Sequence, residues 1–204
     1  PIHAYLPIPP LTLIHAIVVS HNSLLITGYL THNKGKLNLA TSIFFNQLLL
    51  FGPLSVIAAM LGEPCPLLIA PEFIYIYAGV HIFNVLSGLG SALIGISQTG
   101  GAGFLLDTLF VAVDAFARVD GIAVLGVEVV RNHANPIVSG SPFAALLIGT
   151  GVGVGSLLML GLISFESTEW NLRTPLWLKT PSLLVGPDYI SSFLATLAYY
   201  VLTS

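Results

Sequence analysis

The stretch from Phe104 to Arg131, FLLDTLFVAVDAFARVDGIAVLGVEVVR, decides the fold that this sequence predicts. It is long and apolar enough for a membrane-spanning helix. It nevertheless carries six ionisable side chains: Asp107, Asp114, Arg118, Asp120, Glu128 and Arg131. A charge at the centre of a bilayer costs roughly 2.5–3.5 kcal/mol on insertion scales, so such a helix normally faces protein or a water-filled path. We interpret it as the wall of an aqueous or substrate pathway.

The spacing of these charges supports that interpretation. At about 100° per residue, four of them fall within a sector of about 80° on a helical wheel: Asp107, Asp114, Arg118 and Glu128. Asp114 and Arg118 also have the i, i+4 spacing that lets opposite charges meet. The alternative is that these side chains form structural ion pairs that hold helices together.

The composition places the chain among membrane proteins. Apolar residues make up 55% and charged residues only 7%, whereas a soluble domain averages about 25% charged residues. The net charge of −3 and the lack of a Lys/Arg cluster argue against a nucleic-acid partner. The sequence contains no zinc-type Cys/His spacing and no catalytic constellation. We therefore predict no enzyme activity, no cofactor and no metal.

The predicted fold is all-α and polytopic. Six apolar segments are long enough to span a bilayer, at about residues 11–30, 41–62, 73–93, 104–130, 141–164 and 183–202. Turn signals separate them, including Glu63-Pro64-Cys65-Pro66 and Gly100-Gly101-Ala102-Gly103. Basic residues are richer in the loops after spans 1, 3 and 5, which predicts that those loops are cytosolic and that the N-terminus is lumenal or external.

An internal repeat divides the chain into residues 1–99 and 100–204. Ser42 and Ser141 lie at the starts of spans 2 and 5 and are 99 positions apart. Gly52 and Gly151, further along the same two spans, have the same separation of 99 positions. Because each copy has three spans, the second copy must be inverted relative to the first, an architecture of transporters and channels.

Glycine and proline mark weak points in spans 2 and 5. The residues are Gly52, Pro53, Gly151, Gly153 and Gly155. Proline removes a backbone donor, and glycine permits local unwinding beside a cavity, so we predict helix breaks or bends that serve gating. The alternative is close helix packing through small residues.

Three motifs resemble the trimeric intracellular cation (TRIC) channel family. The end of span 4, Val127-Glu128-Val129-Val130-Arg131, is similar to the family's fourth helix, which ends in Lys-Glu-Val followed shortly by Arg. Gly153-Val154-Gly155-Ser156-Leu157-Leu158-Met159, with Phe165-Glu166 after it, is similar to the glycine-rich fifth helix and its Asn-Phe-Glu. Leu61-Gly62-Glu63-Pro64 is similar to the close of the second helix. The resemblance covers about residues 11 to 202.

The resemblance implies a homotrimer in an endoplasmic-reticulum-type membrane, with one pore through each protomer. Potassium would pass as counter-ion to calcium release. Val127 stands where the family has the lysine that helps bind a phosphoinositide in animal members. Arg131 is retained and is the remaining candidate for a lipid phosphate. The sequence ends at Ser204, before the seventh helix that family members carry.

The leading hypothesis is therefore a monovalent cation channel. Asp107, Asp114 and Glu128 would supply an acidic lining, and Arg118 or Arg131 would gate it or pair with it. A second hypothesis is a secondary transporter in which Asp114 and Glu128 carry protons or ions. A third is a structural subunit of a larger membrane complex.

Overall fold

The computed structural model describes residues 9–163, 171–175, 179 and 186–204, and these residues are almost entirely helical. Only an isolated bridge between Ile163 and Leu172 has β character in this part of the chain. The predicted all-α class is confirmed. The helices are α1 Pro9–Thr27, α2 Leu39–Leu61, α3 Pro66–Ile69, α4 Pro71–Leu86, α5 Leu89–Ser97, α6 Gly100–Gly121, α7 Glu128–Arg131, α8 Pro136–Ser139, α9 Pro142–Leu162 and α10 Pro187–Leu202, with a π-helical segment, Ile122–Val127, between α6 and α7.

Local caps explain where the two longest apolar helices begin and end. The side chain of Asn38 accepts a hydrogen bond from the Thr41 amide at 2.8 Å at the start of α2. Ser141 caps α9 in the same way through the Ala144 amide at 3.1 Å. Gly62 ends α2 with a φ of 68°, a left-handed conformation that glycine adopts at little cost.

Two helices are long and apolar enough to cross a membrane, namely α2 and α9. A third candidate span exists if α4 and α5 count as one element, although they meet at 79°. The apolar part of α1, Leu11–Thr27, is shorter. The described helices are thus compatible with a membrane protein of two or three apolar spans, and the count of six stays a prediction.

The predicted third span, residues 73–93, falls on two helices that meet at 79°. The chain turns between α4 and α5 at Ser87 and Gly88. Gly88 has a φ of 80°, which breaks the helical hydrogen-bond pattern and is accessible to glycine without a Cβ clash.

The charged segment Phe104–Arg131 belongs to a helix that runs from Gly100 to Arg131, but this helix is not uniformly α-helical. The π-helical turn at Ile122–Val127 uses wider i to i+5 bonds. The spacing of about 100° per residue therefore does not hold between Arg118 and Glu128, and the helical wheel does not place these two residues on one line. The turn packs tightly, since a Cβ on Gly126 would lie 2.6 Å from the Cα of Gly149 on α9.

Helices of the two predicted repeats pack within each repeat and directly against each other. In the first half α1, α2 and α4 contact one another, and in the second half α9 contacts both α10 and the π-helical segment. Between the halves, α2 packs on α9 and α1 packs on α6.

The contacts between halves fix the relative helix directions. His15 lies 3.9 Å from Asp114, whereas His21 stacks edge-on against Phe110. Residue numbers therefore increase along α1 while they decrease along α6, and the two helices are antiparallel. The helices α2 and α9 are antiparallel for the same reason, because Pro53 lies against Gly155 and Ile57 against Gly151.

Candidate functional site

Arg118 lies at the centre of a half-buried ion-pair network. Its Nη2 donates to Oδ2 of Asp114 at 2.6 Å, so the predicted i, i+4 pair is confirmed. Its Nη1 donates to Oδ1 of Asp188 at 3.2 Å. The second contact ties α6 to the first turn of α10. This contact was not predictable from sequence spacing, because the partners are 70 positions apart.

A cleft between α1 and α6 collects the acidic residues of the predicted pathway. Its volume is about 290 Å³, and Asp107 and Asp114 line it together with His21 and Asn22. Leu25, Phe110 and Val111 supply its apolar walls. Histidines of α1 thus meet carboxylates of α6, a pairing that the spacing within either helix does not reveal.

Glu128 and Arg131 form a separate cluster at the other end of α10. Arg131 Nη1 lies 3.1 Å from Oε1 of Glu128, and its Nη2 donates to the Tyr200 carbonyl at 2.8 Å. Its guanidinium also stacks over the Tyr200 ring, 4.8 Å from the centroid. The Tyr199 hydroxyl donates to Glu128 at 3.3 Å. The charges predicted as one stripe therefore form two clusters, one on each side of the π-helical turn.

The predicted break residues lie at helix contacts. Both α2 and α9 are continuous through them, so neither helix is interrupted. A Cβ on Gly155 would overlap Pro53, and one on Gly151 would lie 3.6 Å from Ile57. Gly153 faces the other way, since its Cβ would lie 2.7 Å from Ser192 Oγ on α10. These contacts fit the packing interpretation, and a gating role for Gly52, Pro53, Gly151, Gly153 and Gly155 stays a prediction.

A buried polar centre joins α1, α2 and α4, and it was not predicted from the sequence. His81 on α4 is fully buried, and its Nδ1 lies 3.0 Å from Ser20 Oγ on α1. Its Nε2 lies 2.9 Å from Ser42 Oγ on α2. One turn away, His15 Nδ1 lies 2.7 Å from the Tyr77 hydroxyl. Its only signal in the sequence is one polar side chain on each of three apolar helices, and the sequence does not indicate that these side chains meet.

Within the described ranges, no three His, Cys, Asp or Glu side chains are close enough to hold a metal ion. The motif residues Phe165 and Glu166 lie outside the described part of the chain. Comparison with family models, with curated proteins and with solved structures found no match to this chain. The resemblance to TRIC channels therefore rests on the sequence motifs alone.

Proposed function

We propose that this chain is a monovalent cation channel whose pathway includes the cleft between α1 and α6. The observation that carries the proposal is the placement of Asp107 and Asp114 in that cleft, at the junction of the two halves. Carboxylates lining a narrow path raise the local concentration of cations and exclude anions. In a protein with 7% charged residues, Asp107 brings a negative charge to the cleft in addition to the Asp114–Arg118 ion pair.

The proposed architecture is six spans in two inverted three-helix repeats. Its support is the pairing between the halves. Elements that lie next to a two-fold axis contact their own equivalents across it. Here α1 contacts α6 and α2 contacts α9, which are the first and second spans of each predicted repeat. The antiparallel direction of each pair is what inversion requires.

Assembly and location follow the resemblance. We propose a homotrimer in an endoplasmic-reticulum-type membrane, with a lumenal N-terminus and potassium as the conducted counter-ion. Glu128 and Arg131 would border the same pathway beyond the π-helical turn. A phosphoinositide at Arg131 would have to compete with Glu128 and the Tyr200 carbonyl for the guanidinium.

Single-channel recording of the purified protein in planar bilayers tests the proposal. Ohmic current steps carried by potassium are expected, and Asp107→Asn and Asp114→Asn should each reduce their size. Asp120→Asn is the matched control, because Asp120 is exposed on the same helix and does not line the cleft. Saturable slow flux without steps would favour the carrier hypothesis, and no flux at all would favour a structural subunit.

A further inference from the structure

Polar side chains form a layered column in the middle of the α1–α2–α4 bundle. His15 meets Tyr77 and Ser20 meets His81, so α1 and α4 run in the same direction. The Phe51 ring of α2 stacks against Tyr77, 6.1 Å between centroids, while Ser42 contacts His81. Consequently α2 runs the opposite way, and the contacts define a His81 layer and a Tyr77 layer about one turn, roughly 5.4 Å, apart.

Further polar side chains extend this column at both sides of His81. Ser23 on α1 and Asn84 on α4 each lie one helical turn beyond the His81 layer. Asn46 lies one turn along α2 from Ser42, in the direction of Phe51. All three side chains are fully buried.

These buried groups have hydrogen-bonding capacity that the protein does not use. Among the residues that the structure describes, no partner lies within hydrogen-bonding distance of either polar atom of the Asn84 side chain, of Asn46 Nδ2 or of Ser23 Oγ. Burying an unpartnered amide or hydroxyl is costly, and internal waters that make about three hydrogen bonds each are the usual remedy. Three such side chains, on three helices and each within about one helical turn of a His81 contact, mark this interior as polar enough to bind water.

The column ends at the acidic cleft. Tyr77 contacts His15 through its hydroxyl, and the other ring nitrogen of His15, Nε2, lies 3.9 Å from Oδ1 of Asp114. The contacts thus give two polar layers about one turn apart, His81 with Ser20 and Ser42, and Tyr77 with His15 and Asp114, and a water between the layers would join them.

We propose that this column is a proton relay, with His81 as its central carrier and Asp114 as its terminus at the cleft. The relay uses water as its second carrier and goes beyond the proposed cation conduction. Both ring nitrogens of His81 contact a hydroxyl, so in the neutral ring one serine donates and the other accepts.

Each transfer through His81 conserves protons. The Ser42 side delivers a proton to Nε2, which forms an N–H bond there, while the N–H bond at Nδ1 breaks and its proton passes to the Ser20 side. Ser42 Oγ then takes a proton from a water on its side, and Ser20 Oγ passes its own proton to a water on its side, so no charge stays in the bundle. Rotation of the hydroxyls and exchange of the ring tautomer reset the relay. The opposite direction uses the same bonds in reverse.

Proteoliposomes containing the full chain and a trapped pH dye test the relay. Under a potassium diffusion potential set by valinomycin, we expect proton uptake faster than in protein-free vesicles. A separate thallium-influx assay without ionophore measures cation conduction. His81→Gln keeps hydrogen-bonding groups but has no second ring nitrogen, and Tyr77→Phe removes the hydroxyl that meets His15. Each change should lower proton uptake to the protein-free rate and leave thallium influx unchanged.

His32→Gln is the matched control, since His32 is exposed in the first loop, and it should leave both fluxes unchanged. Circular dichroism and size-exclusion profiles establish whether each variant is folded. If His81→Gln does not fold, the proton uptake of Tyr77→Phe tests the relay. Wild-type uptake no faster than in protein-free vesicles overturns the relay, as does wild-type uptake in a folded Tyr77→Phe variant. Parallel loss of both fluxes in a folded variant also overturns it, because protons would then share the cation path. Proton uptake without thallium influx in the wild type would leave the relay standing and refute the cation channel.

Discussion

The hydroxyl of Ser156 donates a hydrogen bond to the carbonyl of Leu49 at 2.7 Å. Leu49 lies four positions before Pro53, and proline has no N–H to donate to that carbonyl. A side chain of α9 therefore satisfies the acceptor that the proline of α2 leaves without its helical donor. The adjacent Gly155 lets Pro53 approach α9 closely. The two weak points predicted from the sequence thus compensate each other at one crossing of the two halves.

Ser156→Ala should destabilise the protein by about 1 kcal/mol. Leaving a buried acceptor unpaired costs about 1–3 kcal/mol in soluble proteins, and hydrogen bonds between membrane helices average about 0.6 kcal/mol. Unfolding in mixed detergent and dodecyl sulfate micelles measures the change. The loss should shrink in a Pro53→Ala background, because the new amide at position 53 can donate to Leu49. Equal losses in both backgrounds would mean that Ser156 does not act through this carbonyl.

Gly149→Ala should destabilise the protein by about 1–3 kcal/mol, the usual cost of overpacking. An added Cβ there would overlap the Thr196 side chain of α10 and lie 3.2 Å from Val127. Gly79→Ala is the control, since a Cβ at residue 79 meets no atom of the described chain within 4 Å. Thermal aggregation midpoints of the two variants in detergent measure the difference. A midpoint for Gly149→Ala equal to that of Gly79→Ala would rule out tight packing at this position.

Local features of the fold were predictable from the sequence, whereas partner choice between helices was not. The turns at Gly62 and at Asn132–Ser141 and the pair Asp114–Arg118 all depend on residues close in sequence. The π-helical turn depends on what the helix packs against, here Gly126 against Gly149. The glycine content of α9 was compatible with a helix break or with close helix packing. The contacts with neighbouring helices are needed to distinguish the two.

In the candidate site, too, features within one helix were predictable and contacts between helices were not. The acidic residues of α6 were identified because charge is rare in an apolar segment. Their partners on α1 and α10 were missed, since His15, His21 and Asp188 are far away in sequence. His81 was not singled out from the sequence, although it joins three helices through Ser20 and Ser42.

Asp114→Asn should cost less stability than the loss of a fully buried ion pair, for which 3–5 kcal/mol is typical. Arg118 keeps Asp188 as a second partner, and the side chains of Arg118 and Asp114 are 28% and 32% exposed. Solvent screening reduces such pairs to about 1 kcal/mol or less. The double variant Asp114→Asn/Asp188→Asn should lose more than the sum of the single losses, because only then is Arg118 left without a carboxylate. Detergent unfolding of the three variants measures the coupling, and strict additivity would contradict this account.

The final prediction concerns how α10 is held at its two ends. Arg118 contacts Asp188 in its first turn, and Arg131 donates to the Tyr200 carbonyl near its last turn. A carboxylate at the helix start and a guanidinium at the helix end both complement the helix dipole. Arg131→Gln should therefore loosen the C-terminal end, and Arg118→Gln the N-terminal end.

Hydrogen–deuterium exchange with peptide mapping distinguishes the two ends. We expect faster exchange over residues 199–204 in Arg131→Gln, and faster exchange over residues 187–191 in Arg118→Gln. Each variant serves as the control for the other, because both remove one guanidinium from the same helical stretch. Arg131 also contacts Thr203 and Ser204, so its effect should be the larger one. Uniform acceleration along α10 in both variants would mean that the helix docks as one unit and that neither arginine holds an end.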